Sequence, residues 1–275
     1  MRHLSLRRVQ AVAVAACLLA LTACGDDGST EPNVTAPTSS ATLQHNLPSY
    51  GQMRDALKTI VAGQNGGLGF NMWAAIVDRD GFVVDVLFSG DDRDSEWPGS
   101  RAIAAQKANT ANSFSLDNFA LASGNLYAPT QPGGSLFGLQ ESNPVDPQVA
   151  YDGNPKFYGT QNDPLTGKRM GGINVFGGGL ALYGADGVLI GGIGLSGDTS
   201  CTDHIIAWRL RHALNLDNVP AGVADGGADD NLILDTDGVL TGFEHPQCFD
   251  ASPERGDHVQ IIANLATTDP IGPGE

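Results

Sequence analysis

Short apolar runs bounded by polar turns stand out at two places in the chain. Residues 71–91, NMWAAIVDRDGFVVDVLFSGD, hold two β-rich runs on either side of Asp80-Gly81, a dipeptide that supplies the positive φ angles of a tight hairpin. Residues 173–198, INVFGGGLALYGADGVLIGGIGLSGD, repeat the arrangement around Asp186-Gly187. Both stretches end in the same tripeptide, Ser89-Gly90-Asp91 and Ser196-Gly197-Asp198. Before the first hairpin, Ser49 is placed to cap a helix running to about Ala62, with Met53, Ala56, Leu57, Ile60 and Val61 on one stripe and Gly63 as its stop. A helical segment follows each hairpin: SRAIAAQKANTANSF from Ser100, and CTDHIIAWRLRHALNL from Cys201.

The order helix, hairpin, helix, long connection, hairpin, helix predicts an α+β fold, an antiparallel sheet with helices packed on it. The connection, residues 115–172, is rich in Pro, Gly, Asn and Asp but carries Tyr127, Phe137, Tyr151, Phe157 and Tyr158. A connection of that length usually covers a site or an interface. The tail from Asp217 to Glu275 contains acidic turns and two short apolar runs, Leu232 to Leu234 and Val259 to Ile262.

Composition agrees with a folded chain: 41% of the 275 residues are hydrophobic, and 36 Gly with 15 Pro point to tight turns rather than to a helical bundle. The net charge of −16 leaves no basic surface for a phosphate backbone, so nucleic acid is excluded as an expected partner.

The N-terminus changes the picture. Arg2, Arg7 and Arg8 precede an apolar run from Val9 to Ala23 that is short for a membrane span, the layout of a signal peptide over residues 1–23. Its end, Leu21-Thr22-Ala23-Cys24, resembles the bacterial lipobox, which implies lipidation of Cys24 and attachment to a membrane through that lipid. Gly25, where a retained lipoprotein has Asp, favours the outer membrane facing the periplasm in a cell that has one. Cleavage leaves 12 basic against 31 acidic residues, a charge of −19. Residues 24–46 then read as a lipidated, flexible tether of Ser, Thr, Pro, Asp and Asn, which sets His45 aside as a ligand.

With Cys17 in the signal and Cys24 lipidated, Cys201 and Cys248 remain, and export to an oxidising compartment predicts that they form a disulfide. Closing that loop stabilises the fold by roughly 4 kcal/mol in the chain-entropy picture. The weaker alternative for the pair is a metal site, since neither Cys has a CxxC neighbour.

Taken together, Trp73-Ala74-Ala75-Ile76-Val77-Asp78 with Asp80-Gly81, Ala105-Gln106-Lys107-Ala108-Asn109-Thr110-Ala111, Gly191-Gly192-Ile193-Gly194-Leu195-Ser196-Gly197, and Asp203 before Ile205-Ile206-Ala207 resemble the GlcG/HbpS-like haem-binding family. The resemblance spans residues 47–216, with 115–172 as an insertion and 217–275 as a C-terminal extension. It implies profilin-like α/β/α layers, assembly into homo-oligomers, and haem or a similar small ligand as the cofactor, in haem handling or sensing. It also implies a role at the haem for Thr110. That residue shares a helical face with Ile103, Lys107 and Phe114, and a cation and a hydroxyl in an apolar stripe suit Lys107 to a haem propionate and Thr110 to the iron or its bound water. The same residues admit a structural reading: Lys107 in an ion pair, and Thr110 bonded back to its own helix.

Histidine is the usual ligand of haem iron. His204 lies three residues after Cys201 and His245 three before Cys248, so a disulfide brings both imidazoles into one neighbourhood as a candidate metal or haem-edge site; two imidazoles beside a structural bridge are the plainer reading. Gly192-x-Gly194-x-x-Gly197 matches a dinucleotide fingerprint, but it follows the second arm of a hairpin, and close strand-helix approach explains the glycines better. Acidic clusters at Asp91, Asp92, Asp94 and Glu96 and from Asp225 to Asp237 lack the spacing of an EF-hand and read as solvated loops. No complete set of nucleophile, base and orienting residue is legible, so ligand binding rather than catalysis is expected. The competing expectation is an oligomeric structural or interaction protein that has lost ligand binding.

Overall fold

A computed structural model describes residues 39–272, all within one compact unit; the expected signal peptide, the expected lipidation site Cys24 and most of the expected tether lie outside the described residues. Four antiparallel strands form the central sheet in the order β2-β1-β4-β3: β1 Trp73–Asp78, β2 Val83–Phe88, β3 Gly179–Tyr183 and β4 Leu189–Ser196. The two predicted hairpins supply β1-β2 and β3-β4, and the edge of one joins the edge of the other through the β1-β4 pairing, with Trp73 opposite Ser196. Both turns use the predicted glycines, Gly81 at φ +80° and Gly187 at φ +74°, backbone angles that side chains other than glycine rarely adopt. In the first turn Asp78 also accepts from the backbone N–H groups of Asp80 and Phe82, each at 2.9 Å.

Every residue of β1 is buried because both faces of the sheet are covered. Ala74 and Ile76 point into a core with Met53 and Leu57 of helix α2 (Tyr50–Val61), with Ile205, Ile206 and Trp208 of helix α4 (Ser200–Ala213), and with Ile262 and Leu265 of helix α5 (His258–Thr268). Trp73, Ala75 and Val77 point the other way, onto Ala104, Ala105 and Ala108 of helix α3 (Ser100–Phe114). The layering is α/β/α, as expected. Helix α2 begins at Ser49 in a capping box with Gln52, and α4 begins at Thr199, whose hydroxyl accepts from the Thr202 N–H.

The glycines of β4 set how closely α3 sits. A Cβ added at Gly194 would lie 2.0 Å from the Ala104 carbonyl oxygen, and one at Gly192 would lie 2.4 Å from that of Ala108. Two of the motif's three glycines therefore face a helix backbone and Gly197 faces the Asn71 carbonyl, the close-packing role preferred for them over dinucleotide binding.

Two features extend the sequence reading. Residues 39–46, placed in the tether, form helix α1 (Ser39–Asn46), and Leu43 is fully buried in the core, beside Gly191. A single large apolar residue among Ser, Thr, Gln and Asn gives no period, so only tertiary burial reveals this helix. The C-terminal extension is built into the same compact unit. Arg211 of α4 makes a bidentate, fully buried pair with Asp230 at 2.7 and 2.8 Å, the Cys201–Cys248 disulfide is present with a Cα–Cα distance of 6.0 Å, and α5 covers α4.

Candidate functional site

Helix α3 is buried nearly all round because the insertion lies over its outer side, where Ala150, Leu165 and Met170 join the core formed with Ala102 and Ala105. This enclosure determines what the predicted ligand residues touch. Lys107 crosses to α4: its Nζ donates to the Leu195 carbonyl at 2.9 Å and meets Asp203 Oδ2 at 2.5 Å, and both side chains are buried. The other Asp203 oxygen accepts from the Asp198 N–H at 3.0 Å. Burial raises the Asp203 carboxyl to about 6 against the pull of Lys107, and burial also lowers the Lys107 ammonium. Thr110 donates to the Gln106 carbonyl at 2.7 Å and accepts from the Asn174 N–H at 2.9 Å. The segment just after the insertion thus closes over Thr110, and Asn109 Nδ2 holds it again through the Gly172 carbonyl at 2.8 Å.

The two histidines occupy the neighbourhood of the disulfide with separate partners. His204 Nε2 lies 3.2 Å from Asn231 Oδ1 and 3.1 Å from the Leu232 N–H, and its Nδ1 has no hydrogen-bond partner. His245 donates from Nδ1 to the Pro246 carbonyl at 2.7 Å, leaving Nε2 to accept from the Ser200 hydroxyl at 2.8 Å. Burial is the largest influence on both imidazoles and pushes each down to about 4, so both are neutral at physiological pH. All four predicted residues therefore have their polar groups engaged inside the fold, apart from the enclosed His204 Nδ1.

Open surface lies instead where the insertion meets the β1 end of the sheet. A cavity of about 290 Å³ is lined by Trp73 of β1, Arg93, Asp94 and Pro98 from the segment before α3, and Tyr151, Pro155 and Tyr158 of the insertion. Arg93 and Tyr158 also line a neighbouring hollow of about 390 Å³ that includes Tyr50, Arg54 and Lys156. The walls are tied together by side-chain contacts. Trp73 stacks on Phe88 with ring centroids 4.4 Å apart, and the Arg101 guanidinium sits 3.7 Å over the Tyr158 ring while pairing with buried Asp163. The Tyr158 hydroxyl lies 2.9 Å from the Tyr151 carbonyl, and Tyr50 donates to the Gly159 carbonyl at 2.7 Å. Trp73 is 2% exposed and its indole N–H has no partner, while the Tyr151 ring stands 61% exposed at the mouth.

This arrangement offers aromatic faces and two cations at the rim, Lys156 and an Arg93 that also pairs with Asp94 at 3.5 Å, the mix that suits a flat, apolar ligand with anionic edges. The insertion tyrosines were visible in the sequence as aromatics within a turn-rich connection. Trp73, Arg93 and Pro98 were not, because only the folded chain sets them beside residues 53 to 85 positions away.

A family model described as "Haem degrading protein HbpS-like" matches residues 52–210. Among solved structures, the crystal structure of Klebsiella pneumoniae protein ORFY, assigned to the family model DUF336, is 22% identical with a TM-score of 0.41, covering 61% of this chain and 90% of that one. A PduOC:heme complex is 25% identical with a TM-score of 0.41, covering 61% of this chain and 94% of its own. No curated protein matches the chain.

Proposed function

The chain belongs to the HbpS-like family, and from that premise we propose that it binds haem in the aromatic cleft beneath the insertion. One observation carries the reading: the apolar cavity formed by Trp73, Pro98, Tyr151, Pro155 and Tyr158 opens beside Arg93 and Lys156. Tyr151, Tyr158, Pro98 and Pro155 would hold the flat apolar body of a porphyrin, and Arg93 and Lys156 would hold its anionic groups. Tyr151 and Tyr158 are the phenols within reach of such a ligand, and tyrosinate is a known haem-iron ligand. Bound haem supplies redox and O₂ chemistry that the side chains of the chain do not supply themselves. Lys107 and Thr110 fit the group less well, since each already bonds within the protein.

A lipid on Cys24, export to the cell envelope and self-assembly complete the proposal, with the disulfide in keeping with an oxidising compartment. Titration of the purified chain with haemin tests the reading: a saturable Soret shift at one haem per chain supports it, and a signal rising linearly without saturation overturns it.

The internal engagement of Lys107, Thr110, His204 and His245 favours one other reading, an interaction protein that has lost its ligand. The same titration separates the two.

A further inference from the structure

We propose that Cys201, Cys248 and His245 form a thiol-gated site for a soft metal ion such as Zn²⁺, closed while the disulfide is intact and opened when it is reduced. One ligand atom from each of the three residues lies within 4.8 Å of the others, although Cys201 sits in a helix and His245 in the short strand Glu244–His245. Two thiolates and one imidazole are a soft donor set suited to tetrahedral Zn²⁺, with a fourth position left for water.

Three details of the surroundings support this use. The Cys201 N–H, in the first turn of α4, donates to Cys248 Sγ at 3.0 Å, and an N–H at a helix N-terminus stabilises a thiolate there. His245 is 4% exposed, so its imidazole stands beside the two sulfurs out of bulk water. Its two ring nitrogens face the Pro246 carbonyl and the Ser200 hydroxyl, so whichever one takes the metal, the other keeps an oxygen partner that fixes the ring. The two sulfurs must separate to about 3.8 Å to share a Zn²⁺ with bonds of about 2.3 Å. Cys201 is fixed on α4, and Cys248, partly exposed on an irregular segment, provides the movement.

An external dithiol supplies the two electrons. Its thiolate attacks Cys248 Sγ, Cys201 leaves as a thiolate, and the second sulfur of the reagent closes the reagent's own disulfide and releases Cys248. The two protons given up by the reagent end on the freed cysteines, and binding of a divalent ion displaces them to solvent.

The test uses the full chain, oxidised or reduced with dithiothreitol and desalted without air, titrated with Co²⁺ as a spectroscopic stand-in for Zn²⁺. The reduced chain is expected to take one Co²⁺ with sulfur-to-cobalt charge-transfer bands and tetrahedral visible bands that Zn²⁺ abolishes, and the oxidised chain none. His245→Gln is expected to weaken binding at least about tenfold. His245→Cys, adding a third thiolate, is expected to strengthen the charge-transfer band. Absence of the band in the reduced wild type, bands unchanged in both variants, or a reduced chain whose circular dichroism is non-native and is not restored by Co²⁺ each overturns the proposal. Haem binding is not involved in any of these readouts.

Discussion

Lys107 and Asp203, 96 residues apart in sequence, meet at 2.5 Å with no access to water and so join the helix on one face of the sheet to the helix on the other. Such a pair contributes little against a well-packed apolar replacement, but removing one partner strands the other charge. Lys107→Met is therefore predicted to lower stability by about 3–5 kcal/mol, and Lys107→Met with Asp203→Leu to recover most of that loss. Urea unfolding of both variants checks it. A single substitution with no measurable cost would show that the pair does not tie the layers together.

Gly194 is predicted to be irreplaceable for a packing reason. Its added Cβ would meet the Ala104 carbonyl at 2.0 Å and the Ala108 nitrogen at 2.4 Å, so Gly194→Ala is expected to cost about 1–3 kcal/mol through displacement of α3. Gly51, exposed in α2 with nothing within 4 Å of an added Cβ, is the control: Gly51→Ala should gain about 0.5–1 kcal/mol. Thermal unfolding of the two variants in opposite directions is the expected result.

Glu96 predicts a pH dependence. Its Oε1 accepts from the Trp97 N–H at 2.7 Å, but its Oε2 is buried without a partner, and burial pushes the carboxyl up from 4.5 to about 7. The folded state thus holds the proton more tightly than the unfolded chain does. The stabilisation from this group is complete below about pH 4.5 and is lost as pH rises through about 7. Glu96→Gln is predicted to melt above the wild type at pH 8 and close to it at pH 4.5. Parallel melting curves for the two across that range would contradict the assignment.

Much of the architecture was legible because it is local. Asp80-Gly81 and Asp186-Gly187 mark their hairpins by turn chemistry, Ser49 marks a helix start, and Cys201 with Cys248 were the only cysteines left to pair. What was hidden depends on tertiary contact. Leu43 carries its helix into the core alone, and α5, which starts at an Asp257 cap, showed in the sequence only as a four-residue apolar run. The candidate site followed the same rule. Lys107 and Thr110 stood out on a helix, yet their partners, Asp203 and Asn174, come from distant segments, and the cleft requires Trp73 and Tyr151 to be brought side by side.

The most direct measurement is a haemin titration, followed by the Soret band, of the wild-type chain, Tyr151→Ala and Thr110→Ala in parallel. Tyr151 is exposed at the cleft, whereas Thr110 is fully buried beneath the segment that follows the insertion. The account predicts saturable binding by the wild type, affinity reduced about tenfold or more in Tyr151→Ala, equal to a loss of at least about 1.4 kcal/mol, and affinity retained in Thr110→Ala. Affinity lost in Thr110→Ala and kept in Tyr151→Ala would place the ligand at Thr110 rather than in the cleft and contradict the account.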